Sequence, residues 1–571
     1  MFLPTTKKEL NHLGWDRPDI ILVTGDAYID SPYMGIAVIG KILTNAGYRV
    51  AVIGQPDPHS SKDICRLGEP LLFWGVSGGC IDSMVANLTA TGKKRQSDDY
   101  TPGGINNKRP NRAVIVYSNL IRQHFKQTRP IVLGGLEASL RRIAHYDHAS
   151  KKIRRSILCD SKADYLLYGM AEQSVVELAK HLKEDTSPLQ IKGLCYMAPT
   201  APGSSTLLPS YTEVSNKHDA FESMFNTFYH NNNPLNGVVL AQLQDARFLV
   251  QNPPHEYLNQ QELDAIYNLN FERDLHPYHQ KKGSVKALDT IRFSITTHQG
   301  CYGECNFCAI AVHQGRTVRS RSKESILAEA RSFLTHPAFK GIISDVGGPT
   351  GNMYGFECAK KLKKGPCRDK RCLFPNSCPS LKINHRNQIE LLRALRSIKG
   401  IRKVFVASGI RYDMIIADKQ QGAEYLGELI KHHISGQLKI APEHCIPHVL
   451  DKMGKPGVDS LLTFRNLFLK LAQKYSKKVF LTYYMIAAHP GCTQKDMAAL
   501  HSFCSDKLKL LPEQVQIFTP TPSTYSTLMY HTKRDPFKHK SCFVESHILG
   551  KDKQKMALLR RSNKGFSKKK R

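Results

Sequence analysis

The sequence predicts an α/β protein in two parts, an N-terminal doubly wound parallel-sheet domain followed by a partial β/α barrel. Two observations carry this. Short apolar runs of strand length alternate with helical stretches, the pattern of parallel βαβ units. The alternation stops near residue 170 and resumes near residue 286, so it forms two series.

Residues 1–170 hold the first series. Apolar runs at 19–25, 48–54, 71–79, 129–135 and 163–169 read as buried strands, and the first ends in a Gly loop. Helices are expected over Met34 to Ala46 and from Ala113 onward. Ligands of such sheets bind at the carboxyl ends of the strands. Residues 92–112, GKKRQSDDYTPGGINNKRPNR, form a polar insert rich in Gly and Pro, and a loop of that length is expected to be functional or mobile. His145 and Asp147 are placed on a helix beside Arg141 and Arg142, with a surface role. Residues 171–285 read as a mixed α/β connecting region, helical around Gln261 to Asn268, with no interpretable motif. Residues 286–535 carry the second series, with strands near IRFSITTH, KGIISDVGG, KVFVASG, QLKIAPE, KVFLTYYMIA and QVQIFTP, and a Cys-rich insert at 356–380. Six strand–helix repeats fit an open β/α barrel. Residues 536–571 are expected to be a disordered basic tail.

The chain has 571 residues, 41% of them hydrophobic. No window approaches the ~20 apolar residues of a membrane helix, and the start lacks a secretory apolar region, so a cytoplasmic protein is expected. Net charge is +32; the last 21 residues hold ten Lys/Arg and one Asp, which leaves +23 for the rest. That excess suggests an anionic partner such as RNA. GxGxxG and G-x4-GK-[ST] phosphate loops are missing from the sequence. Fifteen clustered cysteines in a long chain without a secretory signal point to metal or redox use in a reducing compartment. Cys65, Cys80, Cys159, Cys195, Cys492 and Cys504 read as buried structural thiols.

The most specific signal is Cys301, Cys305 and Cys308 in H-Q-G-C-Y-G-E-C-N-F-C-A. Three closely spaced thiolates can hold three corners of a four-iron cluster and leave the fourth iron open. The triple follows the first strand of the second series, where barrel active sites form, and Gly300 and Gly303 supply a tight loop. The alternative is a zinc knuckle with His298 or His313 as fourth ligand. A second group, Cys358, Cys367, Cys372 and Cys378, has the spacing C-x8-C-x4-C-x5-C amid Lys and Arg, which lower thiol pKa values. It could hold an auxiliary iron–sulfur cluster or a structural zinc, and spacing leaves both open.

Over nearly its full length the chain resembles the YgiQ-type radical S-adenosylmethionine (SAM) proteins. The resemblance is carried by GDAYIDSP (25–32), SDDYTPGG (97–104), GGLEASLRRIAHYD (134–147), the cysteine triple, DVGGPTGNMYG (345–355) and KIAPEH (439–444). It implies a [4Fe–4S] cluster on Cys301, Cys305 and Cys308, SAM bound at the open iron, and an electron donor of flavodoxin or ferredoxin kind. One electron would cleave SAM to methionine and a hydrogen-abstracting 5′-deoxyadenosyl radical. Gly347 and Gly348 match the Gly-Gly-Glu pattern that contacts the SAM amino group, with Pro349 in place of Glu. Ser408 and Arg411 would suit a ribose or carboxylate, and Glu443 a ribose hydroxyl. The N-terminal unit is similar to a cobalamin-binding domain. Ser77, Gly134 and Gly135 fit its nucleotide-tail loops, while Tyr28 stands where its axial His is expected, which leaves cobalamin open. The expected function is a radical SAM enzyme acting on RNA, protein or a metabolite. The competing readings are a non-enzymatic basic metal-binding protein that holds RNA, and a relic whose cluster only transfers electrons.

Overall fold

A computed structural model of the chain describes residues 1–559. The N-terminal half is built on a nine-stranded sheet. Its strands are β1 (Ile20–Thr24), β2 (Val50–Gly54), β3 (Phe73–Ser77), β4 (Ile131–Gly134), β5 (Tyr165–Leu167), β6 (Leu194–Ala198), β7 (Thr206–Leu208), β8 (Leu240–Gln244) and β9 (Arg247–Gln251). Their order is β7-β8-β9-β6-β5-β4-β3-β1-β2. The five strands read from the sequence run parallel, and the order reverses at β1, which has β2 on one side and β3 on the other. Such a switch point opens a crevice at the strands' carboxyl ends. Both faces are covered. Leu22, Phe73, Val132 and Leu167 pack with Ala37 and Leu43 of the helix Gly35–Asn45 and Val175 and Leu178 of the helix Glu172–Lys183. Ile21, Val23 and Trp74 pack with Val114 and Tyr117 of the helix Ala113–His124 on the other face. Double coverage explains why these strands read as unbroken apolar runs.

Four expectations are corrected here. The segment 171–285 is not merely a connection: β6 to β9 extend the same sheet, with β6 antiparallel to β5 and β9 antiparallel to both β6 and β8. His145 and Asp147 lie on a short buried strand rather than on a surface helix, paired with Lys152–Arg154. Asp147 sits close to Arg112 and accepts from Ser150 Oγ at 2.7 Å. The end of the chain carries the helix Ile548–Leu559, where sequence predicted a disordered tail. Leu558 is fully buried in the barrel core, and Gln554 accepts from Ala488 N (2.8 Å) and donates to Cys492 O (2.9 Å). Residues 560–571 of that expected tail lie outside the described residues. Cys65, read as a buried thiol, is exposed.

The insert 92–112 is packed. Arg109 is buried between Asp26 and Asp98 and donates to Gly25 O at 3.2 Å. Thr101 donates to Asp98 at 2.8 Å and accepts from Gln55 at 2.7 Å. The insert thus fixes the β1 loop that carries Asp26.

The second half forms the open barrel. Its strands are β10 (Ser294–Thr296), β11 (Ile342–Ile343), β12 (Asp345–Gly347), β13 (Lys403–Val404), β14 (Gln437–Glu443), β15 (Phe480–Ala487) and β16 (Gln514–Ile517). Every pairing is parallel: β10 with β12, β11 with β13, β14 with β15, and β15 with β16, while an Ile410–Ile440 bridge ties the segment after β13 to β14. Its core gathers apolar side chains of these strands with those of helices such as Arg386–Arg396 and Val458–Lys474.

Candidate functional site

The cysteine triple occupies the loop after β10. His298–Gln299 pairs antiparallel with Arg319–Ser320 and pinches the loop at its base. Gly300 has φ +79°, and a Cβ there would lie 2.1 Å from Thr317 O, so only glycine fits. Cys301 Sγ accepts from Gly303 N at 3.3 Å and lies 3.8 Å from Thr350 Oγ1; Cys305 Sγ accepts from Arg411 Nη1 at 3.5 Å. Cys308 N donates to Cys305 O at 3.0 Å, one turn on. Burial pushes the Cys308 thiol up to about 12, with repulsion from Cys305 adding to it. A bound metal favours the thiolate and reverses this, so the loop and a cluster stabilise each other. N–H donors aimed at the sulfurs fit an anionic cluster. Glu304 and Lys361 form a buried ion pair at 2.9 Å that ties this loop to the Cys-rich insert.

Of the second group, Cys358 and Cys372 lie in one buried cluster around Tyr302 and Met353, and the partly buried Cys378 and Cys301 pack against it. Tyr302 Oη accepts from Cys358 N at 3.0 Å, and Cys378 N donates to Cys372 O at 2.8 Å. Cys367 is not in that cluster. Lowered thiol pKa values were expected throughout. Burial instead pushes Cys372 up to about 11 against the pull of Lys361, and Cys378 is lowered, its partial burial outweighed by donors from Ser380 and Leu381. Among the described residues no group of three or more His, Cys, Asp or Glu side chains converges on a single metal ion.

Gly347 ends β12 and Gly348 follows it. Ser408 donates to Asp345 through both its N (3.0 Å) and its Oγ. Arg411 is bidentate on Asp413 at 2.8 and 2.6 Å and gives its remaining edge to Cys305, so it lies against the cluster loop. Glu443 is buried 3.6 Å from Lys455 Nζ, with φ +69°, a strained conformation for a non-glycine residue at a strand end.

Between the carboxyl ends of the N-terminal sheet and the barrel mouth lies a cavity of about 550 Å³. One end is an apolar slot between the sheet and the helices Gly35–Asn45 and Glu172–Lys183, lined by Leu22, Ile39, Phe73, Val132, Leu167 and Val175. The other end is polar and reaches Thr296, His298, Gln299, Gly348 and Ser408. Ser77, Gly134 and Gly135 line it, as expected of a ligand-binding edge. Tyr28 is not among the lining residues: it is fully buried, its hydroxyl accepts from Leu3 N at 3.3 Å, and its ring stacks on His276. His298 and His313, the histidines considered for zinc, face this cavity, and His313 Nδ1 is 3.1 Å from Ser139 Oγ.

Sequence reasoning missed Tyr33 and Glu172. Tyr33 comes from the N-terminal unit and lines the cavity together with Thr296 at the end of β10. Glu172 is 5% exposed; its Oε2 has no partner and its Oε1 only a 3.5 Å contact from Gln299. Burial raises its pKa. Ionisation is therefore more costly in the folded chain than in the unfolded one, and stability is lost as pH rises above the ordinary carboxyl range. Glu172→Gln is expected to stabilise the protein by about 1–3 kcal/mol at pH 8, the scale of an unsatisfied buried polar group. The gain should vanish near pH 4. Unfolding midpoints at the two pH values check this, and a pH-independent difference would contradict it.

An open barrel of parallel strands with three cysteines on its first strand-end loop defines a radical SAM protein. Residues 2–294 match the Radical SAM N-terminal family and residues 295–504 the Radical SAM superfamily. The chain belongs to the UPF0313 (YgiQ) family. It is 55% identical over 555 residues to a UPF0313 protein of Fusobacterium nucleatum, covering 97% of this chain and 98% of the relative. A Thermotoga maritima UPF0313 protein is 47% identical over 563 residues, covering 98% of each. Family membership implies a [4Fe–4S] cluster, SAM and a reductant. Among solved structures, the radical SAM methyltransferase TsrM of Kitasatospora setae, with cobalamin and a [4Fe–4S] cluster bound, is 14% identical with TM-score 0.48, covering 89% of this chain and 76% of that one. The cobalamin-dependent radical enzyme OxsB, with aqua-cobalamin and SAM bound, is 14% identical with TM-score 0.49, covering 94% and 58%. Among the described residues no helix is long and apolar enough to cross a membrane.

Proposed function

We propose that the protein is an enzyme that cleaves SAM reductively and directs the resulting radical into the cavity shared by its two halves. Cys301, Cys305 and Cys308 would hold a [4Fe–4S] cluster, which when bound would supply the one electron needed for reductive cleavage of the sulfonium C–S bond of SAM. The protein's part is to position, to orient and to exclude water. The observation that carries the reading is the loop Gly300–Cys308, which holds three cysteines beside the N–H donors of Gly303 and Arg411 at the mouth of the barrel. Gly347, Gly348 and Ser408 lie at the neighbouring strand ends and would hold SAM there. Arg411, fixed by Asp413, would orient the cluster through Cys305, and Glu443 would remain a buried partner of Lys455. Cys358, Cys372 and Cys378 would serve an auxiliary cluster next to the first.

Anaerobically reconstituted protein given SAM and dithionite should form 5′-deoxyadenosine. Absence of both iron–sulfur absorption and this product would overturn the assignment; absorption without product would leave electron transfer only. The basic charge supports an anionic substrate such as RNA alongside protein and metabolite classes.

The apolar slot favours a second component. It opens at Ser77, Gly134 and Gly135, at the switch point of the sheet, and suits the nucleotide tail of a corrinoid bound without a ligand from Tyr28. Titration with hydroxocobalamin should then saturate at one equivalent with a changed visible spectrum. An unchanged spectrum and no retention on gel filtration would leave the slot to the substrate.

A further inference from the structure

The Gly-Gly-Glu pattern is incomplete in this chain, because Pro349 offers no carboxylate. The backbone does not make up the loss at Gly347. Its carbonyl, which has two lone pairs, already accepts from Thr297 N at 2.7 Å and from Thr297 Oγ1 at 3.0 Å. An acceptor stands close by. His298 is 1% exposed, and its ring packs directly on Gly348: a Cβ at that glycine would lie 2.7–2.9 Å from three ring atoms. Substitution of Gly348 would therefore evict the ring.

Thr297 Oγ1 lies 3.0 Å from Gly347 O and 2.8 Å from His298 Nδ1. With its single proton on the carbonyl it accepts from Nδ1–H, the tautomer that leaves a lone pair on Nε2. Nε2 is buried without a protein partner, on a side chain that lines the cavity together with Gly348, Pro349 and Ser408. Burial lowers its pKa to about 3, so the ring stays neutral. The segment from Gly347 runs on to Thr350, which is 3.8 Å from Cys301 Sγ, so the glycine on which the ring packs lies two residues from a contact of the cluster loop.

We propose that His298 is a SAM-positioning residue, its Nε2 accepting an N–H of the SAM amino group in place of the missing carboxylate. This rests on the radical SAM reading. Thr297 sets the tautomer, and Gly348 makes room for the ring. The same lone pair would also accept from a substrate donor, and the test separates the two.

Binding of SAM, and of an analogue with hydrogen in place of the amino group, is measured by equilibrium dialysis on reconstituted wild type, His298→Ala, His298→Gln and Thr297→Val. Iron and sulfide contents equal to wild type show that each variant holds its cluster. Ala at 298 should weaken SAM about tenfold, as expected for a buried donor left without its acceptor, and leave the analogue unchanged. Gln at 298, which keeps an acceptor oxygen, should restore most of the affinity. Val at 297, which removes the group that holds the proton on Nδ1, should lower SAM affinity while sparing the analogue. Equal losses for SAM and analogue, or SAM affinity unaffected by Ala, would overturn the assignment and return the lone pair to a substrate or structural role. Failure of the wild type to bind SAM would remove the radical SAM reading itself, whereas wild-type binding with no effect at 298 removes only this one.

Discussion

Cys305→Ala is expected to reduce 5′-deoxyadenosine formation to background and to bleach the iron–sulfur absorption. Cys305 is the middle member of the triple, and its sulfur accepts the free edge of Arg411. Without it two thiolates remain, too few to fix three irons, and the Arg411 edge faces a vacated corner while its other edge stays on Asp413. The buried guanidinium would then lack part of its compensation, so iron loss and a modest drop in stability should appear together. Cys65→Ala is the matched control: its thiol is exposed and lies far along the chain, so iron, sulfide and product should equal wild type. Iron and sulfide analysis with chromatography of the product decides the matter. Wild-type product from the Cys305 variant would place the cluster elsewhere.

The sheet and the barrel were legible where one physical rule dominated. Parallel strands buried on both faces are apolar along their length, so β1 to β5 stood out, as did the longer barrel strands. β6 to β9 did not. β8 and β9, LAQLQ and RFLVQ, mix polar residues into short apolar stretches, β7 is only three residues long, and β8 turns into β9 through Asp245, which has φ +57° without the Asn-Gly or Asp-Gly signal of a hairpin. The cysteine triple was legible because its ligands are local. The cavity was not, since its lining runs from Leu22 to Ser408 and exists only once the halves meet. Glu172 looks in sequence like any acidic residue in the first turn of a helix, and only burial reveals its unpaired oxygen. His298 was visible as a metal-ligand type; its tautomer depends on a Thr297–Gly347 contact across 50 residues.

Glu329→Ala is expected to destabilise the protein by about 3–5 kcal/mol, the cost of breaking a buried ion cluster by removing one member. Glu329, on the helix Lys323–Ser332, is paired with both Arg321 and Arg273, and all three side chains are buried. The two guanidinium groups have other neighbours, but none is anionic. Arg321 donates to Thr296 O and Ser325 Oγ, both at 2.8 Å, and lies over the Tyr267 ring; Arg273 donates to Arg292 O at 3.2 Å and lies over Phe333. Removing the carboxylate therefore leaves two buried cations with no counter-charge. Arg273 N also donates to Asp30 O at 2.7 Å, so the cluster joins the N-terminal unit to the barrel. Arg321 holds the carbonyl at the end of β10, two residues before His298 and five before Cys301. The loss should thus lower the urea midpoint of the barrel and, through β10, weaken cluster retention. Glu329→Gln keeps one acceptor oxygen but loses the charge and the second acceptor, and should fall between Ala and wild type. A change within about 0.5 kcal/mol for Ala would mean that water or backbone carbonyls already satisfy both guanidinium groups. The order Ala, Gln, wild type would instead locate the stabilisation in the negative charge.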